Sequence, residues 1–257
     1  MRVTAFLAAL VVSFVHLHAQ PAVQNSAVQN EAQGKAVLQR AFAAMGCDKL
    51  GPETPITVTG TLTPAGGTAM PLTISSQGDD RWRSELDTPK GHKTTIINGG
   101  RGEMHRSDGK VQKLAEHNTS HQRPFHIPCL VVLSHPSGRI KATFLRTEAG
   151  TGDSFDVVEI LPSGHPNEKW ATDRMKETLW ISRTNGYLTK LRYTNGAEQD
   201  SNDALLVTIE YSDFRLTAGI AQPFHQVTSS GHTTLDFQIN SVDLNTAAAD
   251  FRLEVGQ

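Results

Sequence analysis

"AGIAQPFHQVTSSGHTTLDFQI", residues 218–239, opens on a turn and a proline and closes in strict alternation. Thr233, Leu235, Phe237 and Ile239 fall on one side, and His232, Thr234, Asp236 and Gln238 on the other. A period of two with one apolar face is the signature of a half-buried antiparallel strand. "SSG" at 229–231 supplies a tight reversal between this strand and the one before it, so the two form a hairpin. The apolar face must cover something, either a packed core or a cavity for an apolar ligand.

The same period runs outward through most of the chain. "ITVTGTL" sets Ile56, Val58, Gly60 and Leu62 against Thr57, Thr59 and Thr61. Further strands are expected at 71–76, 80–87, 93–98, 102–107, 110–114, 140–147, 154–161, 176–183, 187–194, 203–214, 224–230 and 232–241. Turn sequences separate them, among them "PAGG" (64–67), "NGGRG" (98–102), "SDGK" (107–110) and "RTNG" (183–186). Links this short join antiparallel neighbours and leave no room for crossover helices. On period alone, Leu205, Val207 and Ile209 of one strand share the concave side with Leu235, Phe237 and Ile239 of another.

Two segments break the pattern. In "EAQGKAVLQRAFAAMG" (31–46), Val37, Leu38, Ala41 and Met45 recur at helical spacing and Gly46 can close the helix in the left-handed region. "PFHIPCLVVLSHP" (124–136) is apolar on all sides between its prolines, and Pro128 suits the first turn of a short helix. A helix with no polar face must be covered, which makes Leu130, Val131 and Leu133 candidates for a plug or lid over the concave face.

The first nineteen residues read as a cleaved signal peptide, with Arg2 ahead of an apolar stretch (6–17) too short to span a bilayer. Residues 20–30 are small and polar and read as a disordered lead-in, leaving 31–257 as one domain. Export implies a periplasmic or secreted protein in an oxidising compartment, with no transmembrane anchor after cleavage. Cys47 and Cys129 allow a single bridge, closing a loop of about eighty residues worth on the order of 4 kcal/mol. Two separate buried thiols remain the alternative. With 24 Lys+Arg against 26 Asp+Glu, the net charge of −2 builds no positive field for nucleic acid.

The chain carries no G-x-S-x-G elbow, no P-loop and no G-x-G-x-x-G, so no catalytic residue and no cofactor is assigned. His105, His117, His121, His126 and His135 cluster in sequence, and "EHNTSH" sets two of them four apart. "NTS" is a poor helix former and the glutamate of zinc peptidases is missing, so no metal site is assigned.

The C-terminal third carries a resemblance. "ETLWISRTNGYLTKLRYTNG" (177–196), "VTIEYSDFRLTAGIAQPFHQVTSSG" (207–231) and "TTLDFQINSVDLNTAAADFRLE" (233–254) resemble the Lol-system outer-membrane lipoprotein carriers and their relatives. The matching positions are Trp180, Gly186, Tyr211, Phe214, Gly219, Pro223, Asn245 and Phe251. The resemblance implies a mainly β half-barrel: a curved antiparallel sheet whose concave side is closed by an N-terminal amphipathic helix and a short apolar helix. It also implies a concavity that holds the acyl chains of a lipid or lipoprotein, without catalysis. "RWRSEL" (81–86) is similar to the stretch that bears the carriers' functional arginine, which points to Arg81 or Arg83. The other reading of the same face is a packed core on a periplasmic protein-interaction module.

Overall fold

The computed structural model describes residues 22–51, 53–78, 80–114, 119, 126–133, 140–162, 176–195, 205–244, 246–247 and 249–254. Six strands follow the first helix: β1 Pro55–Pro64, β2 Met70–Gln77, β3 Arg81–Thr88, β4 Gly91–Asn98, β5 Arg101–His105 and β6 Val111–Lys113. Seven more follow a short helix: β7 Ile140–Ala149, β8 Ser154–Pro162, β9 Glu177–Ser182, β10 Leu188–Asn195, β11 Leu205–Thr217, β12 Ile220–Ser230 and β13 Thr233–Leu244. Each strand expected from the sequence is present, with ends displaced by a few residues. Two helices among the described residues are α1, Ala22–Ala44, and α2, Pro128–Leu133.

All thirteen described strands form one curved sheet in the order β6-β5-β4-β3-β2-β1-β13-β12-β11-β10-β9-β8-β7. The chain enters at the middle, meanders outward to β6, crosses to the far edge at β7 and meanders back until β13 pairs with β1. Every pairing is antiparallel, and β6 and β7 are edges that do not meet, so the sheet is open. At Gly60 the β1–β13 register shifts, and a Cβ there would lie 2.2 Å from the Gln238 carbonyl. Only glycine fits that bulge.

Helix α1 begins at Ala22, so the stretch read as a disordered lead-in is mostly helical. "AVQNSAVQN" (22–30) holds no glycine or proline to stop a helix propagating backward from its packed half. That packed half lies on β7 and β8, with Val37, Leu38, Ala41 and Met45 buried as the spacing predicts. Gly34 makes the approach close: a Cβ there would sit 2.8 Å from the Phe144 amide nitrogen and 2.9 Å from the Ala142 carbonyl. Gly46 ends the helix region at φ 70°, where it abuts the Gly219 carbonyl, and the Ala221 amide donates to the Met45 carbonyl at 2.9 Å.

A disulfide joins Cys47, in the single 3-10 turn after α1, to Cys129 at the start of α2. Leu130, Val131 and Val132 are buried in the same core. Helix α1 covers the concave side over β7 and β8 with α2 packed beside it, and Leu179, Ile181, Leu188 and Leu191 of β9 and β10 have no exposed surface. On the opposite half of the same face, Leu62, Trp82 and Leu86 are only partly buried. The sheet is longer than its helical cover.

Candidate functional site

That uncovered half contains a cavity of about 490 Å3. Its floor is made by alternate residues of adjacent strands: Leu62 of β1, Leu72 and Ile74 of β2, Trp82, Ser84 and Leu86 of β3, Lys93 and Thr95 of β4, and Met104 of β5. The other wall comes from Tyr193 of β10, Ile209 of β11, Gln226 and Thr228 of β12, and Leu235 and Phe237 of β13. His126, just ahead of α2, completes the lining. The register accounts for this convergence: Gln226 stands opposite Phe237 and Tyr211, Leu62 opposite Phe237, and Thr228 opposite Leu235 and Ile209.

The sequence-derived candidates divide by depth. Ile209, Leu235 and Phe237 line the cavity, whereas Val207 and Ile239 are buried in the core beside it. Leu205 is a correction: it shares their parity but is 47% exposed, because it stands at the start of β11 near the β12–β13 turn, beyond the concavity. Leu130 and Val131 pack in the core and do not line the cavity; Leu133 lies in α2 with its side chain outside the described residues. The floor residues Trp82, Leu86 and Met104 were missed. Alternation within "RWRSEL" places the first two on one face, opposite its arginines.

Those arginines face the other way. With Trp82, Ser84 and Leu86 toward the cavity, Arg81 and Arg83 project from the convex face. There Arg81 pairs with Glu53, and Arg83 donates to Glu85 at 2.7 Å and to the Asp250 carbonyl at 3.1 Å. Neither can serve the concave site. Lys93 is the one charged residue that lines the cavity among those described.

His126 is buried, and among the described residues no group pairs with its Nε2. Burial pushes its pKa down to about 3, so the ring is neutral near pH 7. Its carbonyl accepts a 2.8 Å hydrogen bond from Gln226 Nε2, fixing the chain just before α2 against β12. Tyr193 is pushed up to about 12, first by burial and then by Glu177, which stands opposite it on β9. Tyr211, fully buried, is raised well above its ordinary value by burial, with Tyr193 and Glu177 adding to the shift. This wall is polar in places but carries no free cation.

The histidines do not assemble. His105 is on the convex side, 2.6 Å from Glu103, while His126 is inside; His117, His121 and His135 lie outside the described residues. Among the described residues no group of three His, Cys, Asp or Glu is placed to hold a metal.

A second cavity, about 560 Å3, lies on the convex face between β3–β5 and residues 250–254. Its charges are matched internally. Arg252 pairs with Asp250 at 2.6 Å, and both Glu103 oxygens accept the Glu254 amide at 2.9 Å. Phe251 is buried here and its carbonyl accepts from Asn98, so these bonds fasten the C-terminal segment to the sheet.

Positions that carry the resemblance have structural roles. Trp180 is buried on the convex face beneath Lys190 and Arg192, 5.1 and 5.0 Å from its ring. Gly186 and Gly219 take positive φ in turns that touch the end of α1 and its following turn, and Phe214 packs on Tyr187 at 4.9 Å. Asn245 lies outside the described residues.

No protein-family model and no curated protein sequence matches the chain. Solved structures do. An outer-membrane lipoprotein-sorting protein domain from Vibrio parahaemolyticus superposes with a TM-score of 0.56 at 13% identity, over 86% of this chain and 96% of that one. A LolA superfamily protein from Nitrosomonas europaea gives 0.54 at 13% identity, over 83% and 94%. A DUF1329 family protein from Desulfovibrio piger gives 0.57 at 9% identity, over 85% and 97%. At such identities the fold is what is shared: this chain has the fold seen in these solved structures, a LolA superfamily protein among them.

Proposed function

We propose that this protein binds and carries an apolar chain, such as that of a lipid or a lipoprotein, in the concave cavity, without catalysis. The carrying observation is the cavity itself: about 490 Å3 of largely apolar-lined space on a face whose other half is a buried core. Protein interiors are close-packed, and an apolar lining without contact atoms forgoes dispersion and hydrophobic stabilisation that a ligand restores. The size falls within the range of about 300–1,000 Å3 common to small-molecule sites. The lipoprotein-sorting role named for the Vibrio structural relative supports the same ligand class.

A periplasmic or secreted location accompanies this reading. Residues 1–19 carry the pattern of a cleaved signal peptide, and the Cys47–Cys129 disulfide suits an oxidising compartment. No described helix is long and apolar enough to cross a membrane. The test is organic extraction of the purified protein followed by mass spectrometry, together with titration of a neutral apolar fluorophore. Co-purifying lipid or saturable binding supports carriage. Neither would leave the concave face as a protein-binding surface.

A further inference from the structure

We propose that the cavity selects an amphiphile with an oxyanion head, held at the β3–β4 rim by Lys93, Ser84 and Thr95 while the tail lies along Leu72, Trp82 and Phe237. This rests on the cavity-binding reading above and adds the chemistry of the head group.

Ser84 and Thr95 stand directly opposite each other on β3 and β4, and Lys93 is two residues before Thr95, opposite Leu86. All three line the cavity, which places two hydroxyls and one ammonium on one small patch of an otherwise apolar floor. None of the three side chains has a hydrogen-bond or ion-pair partner among the described residues. Most other exposed cations among the described residues are engaged, as with Arg146–Glu148, Arg215–Asp213 and Arg252–Asp250. Lys93 is exposed at the mouth.

Among the described residues no carboxylate lines the cavity to compete for that patch. The opposite wall disfavours an anion: His126 is held neutral by burial, and Glu177 lies close enough to Tyr193 to raise it further. An anionic head buried there would lose hydration without gaining a charged partner. At the rim it keeps part of its water and gains one ammonium and two hydroxyl donors. The orientation is therefore tail inward and head outward. A carboxylate and a phosphate monoester satisfy the same donors.

The test is displacement of a neutral apolar fluorophore from the purified protein by dodecanoate, dodecyl phosphate and dodecanol, which share a tail and differ in the head. The wild-type protein should bind the two anions about tenfold more tightly than the alcohol, the scale of one charge-assisted hydrogen bond. Of the two, the tighter identifies the head group as carboxylate or phosphate, and inorganic phosphate alone should displace nothing. In Lys93→Gln the preference should collapse while dodecanol binding persists, and in Ser84→Ala/Thr95→Val it should weaken. Rising salt should erode the preference in the wild type alone. Equal binding of all three amphiphiles by the wild type overturns the head-group assignment and leaves carriage standing. Failure of the fluorophore to bind overturns both.

Discussion

Cys47 and Cys129, 82 positions apart, are covalently joined at a Cα–Cα distance of 5.3 Å, which clamps the start of α2 to the turn that follows α1. The bridge closes a loop that holds β1–β6 and the first part of the crossing from β6 to β7, the longest connection between strands of the sheet. Closing a loop of that length restricts the unfolded chain by about 4.5 kcal/mol in the chain-entropy model. The Cys47→Ala/Cys129→Ala protein should accordingly unfold at lower urea than the wild type, by up to that amount. Equal midpoints with and without reductant would show that the bridge does not restrain the unfolded chain. Because both sulfurs are buried, reduction should require denaturant.

The seat of α1 on β7 depends on one missing methyl group. Gly34→Ala would ordinarily strengthen a helix by about 1 kcal/mol. Here the new Cβ meets strand backbone at 2.8–2.9 Å, which cannot swing aside, so the helix must lift. Thermal denaturation should show a net loss of about 1–3 kcal/mol. Leu38→Ala, at a site with no exposed surface, should cost about 2–5 kcal/mol, whereas Val28→Ala, 70% exposed, should be silent.

His126 makes the fold acid-sensitive. Its folded pKa of about 3 lies below the ordinary 6.5, so as pH falls the unfolded chain takes up this proton first. Stability from this residue is intact above pH 6.5 and declines below it, by at most about 1.4 kcal/mol per pH unit, until the folded pKa is reached. Urea midpoints measured from pH 7 to pH 4 should fall less steeply in His126→Leu than in the wild type. Parallel slopes would show that the ring is not desolvated.

Filling the cavity should separate binding from folding. Leu86 lines it while remaining partly exposed, so Leu86→Trp can project into open space without disturbing the core beneath α1. The variant should lose most apolar-probe affinity and hold its thermal midpoint within about 0.5 kcal/mol equivalents. Retained affinity would place the probe elsewhere.

Local sequence determined the elements. Alternation from Ile56 to Leu244 marks each strand, glycine-bearing turns mark each reversal, and the spacing of Val37, Leu38, Ala41 and Met45 marks the buried stripe of α1. Short links also made the antiparallel order legible, since a chain that reverses within a few residues must pair with itself. Period-two reading placed Ile209, Leu235 and Phe237 at the cavity because parity survives along an unbroken strand. It misplaced Leu205 because parity says which face a residue takes, not where the concavity ends.

Tertiary structure decided the rest. Whether Cys47 met Cys129 depended on where the crossing chain passed the end of α1, a contact between residues with no local relation. Whether the concave face was core or cavity depended on how far α1 and α2 reach across thirteen strands, and they leave Leu62, Trp82 and Leu86 only partly buried. That shortfall leaves Trp82, Leu86 and Met104 beside Phe237, and sets Lys93 alone at the rim while Arg81 and Arg83 turn outward. Alternation fixes each side chain relative to its own strand, but only the curvature and register of the whole sheet bring one strand's face opposite another's.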